Sequence, residues 1–153
     1  MESRRILEMS EEQLNVEDQV NSIAFEVRIL ESTFNELSSR QSLLERALLE
    51  NRAAQEALKQ LGQEKPEETL LQLGGGILVR SAPPSTEKVL VNVGANVVIE
   101  KPKEEAVAIL EDRAKEVEKT IVSLIRQRNE VAQRVDADRQ ALQTLLNRQP
   151  QKS

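Results

Sequence analysis

Apolar residues recur with a seven-residue period through two long stretches of this chain of 153 residues. Counted alternately by three and four, ten of thirteen positions from Val16 to Leu58 are apolar, and so are ten of twelve from Val107 to Leu145. The hydrophobic share of 39% would place only about ten apolar residues in these positions. A repeat kept over five or more heptads predicts long helices in left-handed coiled coils and not a compact bundle.

We call these repeat positions the seam. In the first stretch they are Val16, Val20, Ile23, Val27, Leu30, Phe34, Leu37, Gln41, Leu44, Leu48, Asn51, Gln55 and Leu58. In the second stretch they are Val107, Leu110, Ala114, Val117, Ile121, Leu124, Arg128, Val131, Val135, Asp138, Leu142 and Leu145. If the chain turns back between the stretches, the two halves cover each other as an antiparallel pair. Partner residue numbers that sum to 158, 165 or 172 all place an a position opposite a d position, so the sequence leaves the register open.

Five seam positions carry polar side chains, namely Gln41, Asn51, Gln55, Arg128 and Asp138. Each would destabilise the pair if it were fully buried without a partner. In a seam between only two helices we expect these side chains to stay half solvated. The alternative is that they fix the register or contact a bound partner.

Helix breakers are concentrated in the centre of the chain. All five glycines and four of the five prolines lie between Gly62 and Lys103. The sequence therefore predicts one domain over residues 1–153, with a first coiled-coil helix over 1–61, an insert over 62–103, a second helix over 104–148 and a disordered tail over 149–153. Pro102, followed by Glu104 and Glu105, is expected in the first turn of the second helix.

The insert holds four short β-rich runs. Gly74–Gly76 interrupts the first two and Gly94-Ala95 the second two, while Pro83-Pro84 separates the pairs, so two β-hairpins are predicted. Such short strands cannot form a stable sheet with two wet faces. We expect other subunits to cover their apolar residues, which are Leu71, Leu73, Ile77, Val79, Val89, Val91, Val93 and Val97. The fold class is mainly α with a β insert that oligomerises.

Apolar residues also cluster near the free ends of the two helices. They are Ile6, Leu7, Met9 and Leu14 at one end and Leu142, Leu145 and Leu146 at the other. Antiparallel pairing brings both groups to one tip, where exposed apolar surface could bind unfolded or apolar partners. The alternative is that these residues only complete the seam.

Composition excludes most enzyme chemistry. The chain has no Cys and no His, so it lacks a thiol nucleophile, sulfur or imidazole metal ligands and a His base. Gly74–Gly76 is followed by neither a Lys-Ser/Thr pair nor a helix, which favours a turn over a phosphate-binding loop. The net charge is −5, no segment is strongly basic, and no stretch approaches the ~20 apolar residues that span a bilayer. We expect a cytoplasmic protein without catalytic activity, cofactor, metal, nucleic acid or membrane partner.

Two segments carry a resemblance to a known family. The run TLLQLGGGILVR begins at Thr69, and EKVLVNVGANVVIEKPKEEAVAIL spans Glu87–Leu110. Together with the order helix, two hairpins, helix, they resemble the alpha class of prefoldin subunits over nearly the whole chain. The second segment is the more specific part, and Pro102 stands where the family usually has a small polar residue.

The resemblance implies an ATP-independent chaperone subunit. In that family two alpha-class and four beta-class subunits join their hairpins into a β-barrel platform, and unfolded clients held at the coiled-coil tips pass to a cytosolic group II chaperonin. Carried over to this chain, the eight strand residues would build the platform and the terminal apolar residues would hold clients. The alternative function is a structural coiled-coil scaffold or filament protein without client transfer.

Overall fold

A computed structural model describes residues 2–63 and 67–148, with side chains from Met9 onward except Ser10. Helix α1 spans Glu2–Gln60, and helix α2 spans Lys103–Arg148. Between them lie strands β1 (Thr69–Gly74), β2 (Ile77–Ser81), β3 (Lys88–Gly94) and β4 (Val97–Pro102). The predicted order of helix, two hairpins and helix is confirmed. The chain divides into two compact units, one made of the described residues up to Leu43 and from Ile121, the other of Leu44–Thr120.

The seam residues are among the least exposed residues of both helices. All of them are buried or half-buried, including the polar ones. Val27 and Val135 are buried in the first unit and Ala114 in the second. Because a two-helix seam offers each side chain only one partner helix, most seam residues keep some contact with water.

Ion pairs beside the seam settle the register that the sequence left open. In one unit, Arg134 Nη2 donates to Glu26 Oε1 at 3.0 Å and Arg139 pairs with Glu31. In the other unit, Arg52 pairs with Glu118. In an antiparallel coiled coil, g positions face g positions on one side of the seam and e positions face e positions on the other. Glu26–Arg134 is a g pair whose residue numbers sum to 160, and the other two are e pairs whose residue numbers sum to 170. These values lie five below and five above 165, as expected when seam partners sum to 165, and this holds in each unit.

Gly62 lies two residues after the end of α1 and has a left-handed backbone conformation, with φ +89°. A Cβ at this position would lie 2.9 Å from Thr86 Oγ1, whereas a Cβ at Gly75, with φ +58°, would meet nothing within 4 Å. Helices commonly end with a glycine in this conformation, because a residue with a Cβ adopts it only with steric strain.

Replacing Gly62 with Ala should lower the free energy of unfolding by about 2 kcal/mol, because backbone strain and the Thr86 contact act together. Gly75→Ala adds the strain alone, so it should cost about 1 kcal/mol. Urea denaturation followed by circular dichroism measures both. Equal losses in the two variants would show that the Thr86 contact is unimportant.

The start of α2 differs in detail from the prediction. Pro102 is the last residue of β4, opposite Lys88, and lies just before the helix instead of in its first turn. The difference arises because Lys103, the first helical residue, donates its backbone N–H to Glu87 O at 3.2 Å, which ties the helix start to the strand pair. Its Nζ donates to Leu61 O at 3.0 Å, near the end of α1. Glu104 and Glu105 lie in the first turn, where their carboxylates interact favourably with the positive end of the helix dipole.

The two hairpins have the same backbone geometry. Strand β1 pairs antiparallel with β2, and β3 with β4, each with a register shift just before its turn. The turn residues Gly75-Gly76 and Ala95-Asn96 all have positive φ, which suits two-residue hairpin turns. Among the described strands the hairpins form two separate two-stranded sheets. Each strand therefore keeps one edge without a partner strand.

Candidate interaction surfaces

Hairpin β1–β2 is apolar and exposed on both faces. On one face Leu71 of β1 lies opposite Val79 of β2. On the other face Leu70 lies opposite Arg80, and Leu78 lies opposite Gln72. The predicted residues Leu71, Leu73, Ile77 and Val79 are all exposed, as are Leu70 and Leu78, which the sequence prediction omitted. No described part of the chain covers this hairpin.

Hairpin β3–β4 has one covered face and one open face. Val91 is only 8% exposed, opposite Ile99, and Val89 is half-buried on the same face. Arg113 of α2 donates to Asn92 O at 2.7 Å, which holds the hairpin against the helix. On the opposite face Leu90 is 74% exposed.

The remaining residues of this hairpin are open to solvent. The predicted residues Val93 and Val97 are exposed, and so is Val98, which shares a face with Leu90 and was omitted with it. Val91 therefore lies in the core of its own chain, while the open residues are candidates for contact with another chain. The signal for the omitted residues was present, because consecutive apolar residues such as Val97-Val98-Ile99 are typical of strands covered on both faces.

Replacing Val91 with Ala should destabilise the folded chain itself. Losing about two buried methyl-sized groups should cost roughly 1.5 kcal/mol at ~0.8 kcal/mol each. Val98→Ala at an exposed position of the partner strand serves as the control and should cost less than about 0.5 kcal/mol. Thermal unfolding of dilute protein checks this. Equal effects of the two substitutions would contradict the placement of Val91 in the core.

The structure divides the predicted tip residues into two groups. Leu142 and Leu145 are half-buried seam residues, whereas Met9, Leu14 and Leu146 are each more than half exposed. The side chains of Ile6 and Leu7 lie outside the described residues. With seam partners summing to 165, Arg148 at the end of α2 lies opposite Glu17, so α1 continues past α2 with Met9 and Leu14 uncovered by it.

Further exposed apolar residues lie along the outer sides of the helices. Phe25, Ile29, Leu43 and Leu49 of α1 and Val122 of α2 are all at least half exposed. None of them occupies a seam position, so helix pairing leaves them in solvent. They were not predicted, because the heptad count identifies only the buried stripe.

The polar seam residues differ in their surroundings. Gln41, Asn51, Gln55 and Arg128 are half-buried, and Gln55 Nε2 donates to Asn51 Oδ1 at 3.3 Å. The Arg128 guanidinium lies 5.8 Å from the centre of the Phe34 ring. Asp138 is buried, and its Oδ1 lies 3.3 Å from Arg134 Nε. Asp138 and then Glu26 raise the pKa of Arg134 above its ordinary value.

The described residues contain no metal-binding chemistry: no group of three or more His, Cys, Asp or Glu residues could hold an ion there. Within the same part of the chain, no helix is long and apolar enough to cross a membrane. The exposed apolar surfaces of the described residues are the open hairpin faces, the outer sides of the helices and the residues near the helix ends.

Comparison with known proteins places these features in a family. The family model for prefoldin subunits matches residues 30–148. The chain is 29% identical over 130 residues to prefoldin subunit alpha of Nitrosopumilus maritimus, which covers 85% of this chain and 90% of that one. It is 35% identical over 134 residues to prefoldin subunit alpha of Methanocorpusculum labreanum, covering 82% and 91%.

A solved structure has the same fold. Filamentous PFD from Methanocaldococcus jannaschii, determined by cryo-EM, aligns with a TM-score of 0.63 at 23% identity and covers 72% of this chain and 93% of that one. The curated relatives match the helices and the insert together, and the structural match shows the shared fold. The chain therefore belongs to the prefoldin family, in its alpha class of subunits.

Proposed function

We propose that this chain is a subunit of a cytoplasmic, ATP-independent chaperone that holds unfolded polypeptides at its coiled-coil tip. The observation that carries the proposal is the uncovered end of α1, where Met9 and Leu14 are exposed beyond the last described residue of α2. Together with Leu146, they offer apolar area that a non-native chain can bury at about 25 cal/mol per Å². Binding of this kind needs no bond chemistry, in keeping with a chain that lacks Cys and His.

The hairpins are the proposed assembly surface. Leu70, Leu71, Leu78 and Leu90 are exposed on strands whose outer edges have no partner in the described chain, and such strands are stabilised by pairing with other subunits. Carried over from the prefoldin family, the proposed partners are beta-class subunits, and two alpha and four beta subunits form a β-barrel platform. Held clients would pass to a group II chaperonin.

The function can be tested with the purified complex of this chain and a beta-class subunit. A chemically denatured protein is diluted into buffer without nucleotide, and aggregation is followed by light scattering. The proposal predicts suppression at about one complex per client molecule, and transfer to an added group II chaperonin with ATP. Unchanged aggregation at a fivefold excess of complex would rule out client holding.

A structural filament or scaffold is the second candidate, since the matched PFD structure from Methanocaldococcus jannaschii is filamentous. Open strand edges serve a filament as well as a closed platform. The two functions differ in client suppression and in size, because a filament grows with concentration and a closed complex keeps one mass.

A further inference from the structure

The apolar seam alone does not select its register. Seam positions repeat every seven residues on both helices, so moving one helix by a heptad again places apolar residues opposite apolar residues. The structure nevertheless has one register, with partners summing to 165 in each unit. We propose that the ion pairs beside the seam select this register and thereby keep the end of α1 uncovered.

The first unit supplies two of these pairs, Glu26–Arg134 and Glu31–Arg139. With partners summing to 158, Arg134 would face Gln19 and Arg139 would face Ala24. With partners summing to 172, they would face Thr33 and Ser38. Either shift therefore removes both ion pairs and supplies no carboxylate in their place.

Asp138 strengthens the preference in the same unit. Its carboxylate is buried at a seam position and its Oδ2 makes no hydrogen bond among the described residues. Arg134 links this carboxylate to Glu26 on the facing helix, with contacts of 3.3 and 3.0 Å. A buried charge is costly unless its partners are held in place. The interhelical link through Glu26 exists only when partners sum to 165.

The second unit has the Arg52–Glu118 pair. With partners summing to 158, Glu118 would face Glu45 with the same charge, but Arg52 would face Glu111 with the opposite charge. With partners summing to 172, Glu118 would face Lys59. The second unit alone therefore excludes neither shift, and selection of the register depends on the two pairs of the first unit.

Register determines how much of α1 is uncovered. In the observed register Arg148 is level with Glu17, and in the 158 register it would be level with Ser10, so α2 would extend one heptad further along α1. The ion pairs thus keep this heptad of α1 clear of α2. The use of this surface for clients rests on the proposed function, whereas the selection of register does not.

Disulfide cross-linking can read the register directly, because the chain has no cysteine of its own. Leu30→Cys is combined in turn with Val135→Cys, Arg128→Cys or Leu142→Cys, which face position 30 when partners sum to 165, 158 and 172. In the full-length chain the Val135 combination should form its intrachain disulfide at least ten times faster than the other two. Similar rates for all three would overturn the single register.

Charge reversal then tests the ion pairs. With Glu26→Arg and Glu31→Arg added, the Val135 combination should lose at least fivefold in rate and the Arg128 or Leu142 combination should gain. Adding Arg139→Glu, with Arg134 kept because it also contacts Asp138, should restore part of the original preference through the pair of residues 31 and 139, which a loss of structure alone would not do.

Two further measurements keep the test decisive. If circular dichroism shows that reversal unfolds the helices, Glu26→Gln with Glu31→Gln replaces it, and the preference should fall about threefold. High salt should also weaken the preference of the unaltered chain, because these pairs are partly exposed and screened. A preference that survives both the charge changes and 1 M salt would overturn the proposal. If the register preference falls and the tip still holds clients as before, the ion pairs select the register but client binding does not depend on it.

Discussion

Aspartate in place of both Leu78 and Leu90 should prevent assembly while leaving the helices intact. Both side chains are more than half exposed in the single chain, so a carboxylate there meets water and costs the folded chain little. In an assembly that covers these strands, each unpaired buried charge would cost several kcal/mol. Native mass spectrometry with a beta-class subunit should give only free subunits, and circular dichroism should keep its helical signal.

Val122→Asp is the matched control. Val122 is a similarly exposed residue, but it lies on the outer side of α2 and not on a strand. This variant should assemble normally. Full assembly of the Leu78 and Leu90 double variant would mean that these faces stay in solvent, and the assembly surface would have to be sought elsewhere.

Serine at Met9, Leu14 and Leu146 should remove most client protection without changing assembly. Each of these side chains is more than half exposed, and burying such a residue fully against a client contributes about 1.5–3 kcal/mol. Losing all three should raise the complex concentration needed for half protection at least tenfold, since ~1.4 kcal/mol corresponds to a factor of ten. Light scattering of a diluted, denatured client measures this concentration.

Leu43→Ser with Leu49→Ser controls for apolar surface in general. These leucines are as exposed as the tip residues but lie further along α1. The control should protect the client as well as the unaltered complex does. If it instead loses protection and the tip variant keeps it, clients bind along the helices, and Phe25 and Ile29 become the next residues to test.

The helices and their seam could be predicted from the sequence because heptad position and burial are closely linked in a two-helix coiled coil. Every predicted seam residue is buried or half-buried, even the charged Arg128 and Asp138. The hairpins were equally predictable, since glycines at the turns and prolines between the pairs leave few other arrangements.

The candidate surfaces were predicted less completely. The predicted set included Val91, which is buried within the single chain, and omitted Leu78 and Leu90, which are exposed. Heptad periodicity could not choose among the three registers, because a shift of seven residues reproduces it. The choice became visible only in interhelical contacts such as Glu26–Arg134.

The mass of the complex formed with a beta-class subunit tests the central claim most directly. If the hairpins join subunits into a closed platform, native mass spectrometry should give a single species of two alpha and four beta subunits at every concentration. A chain that stays monomeric, or one that forms an open series of growing masses, would contradict the account.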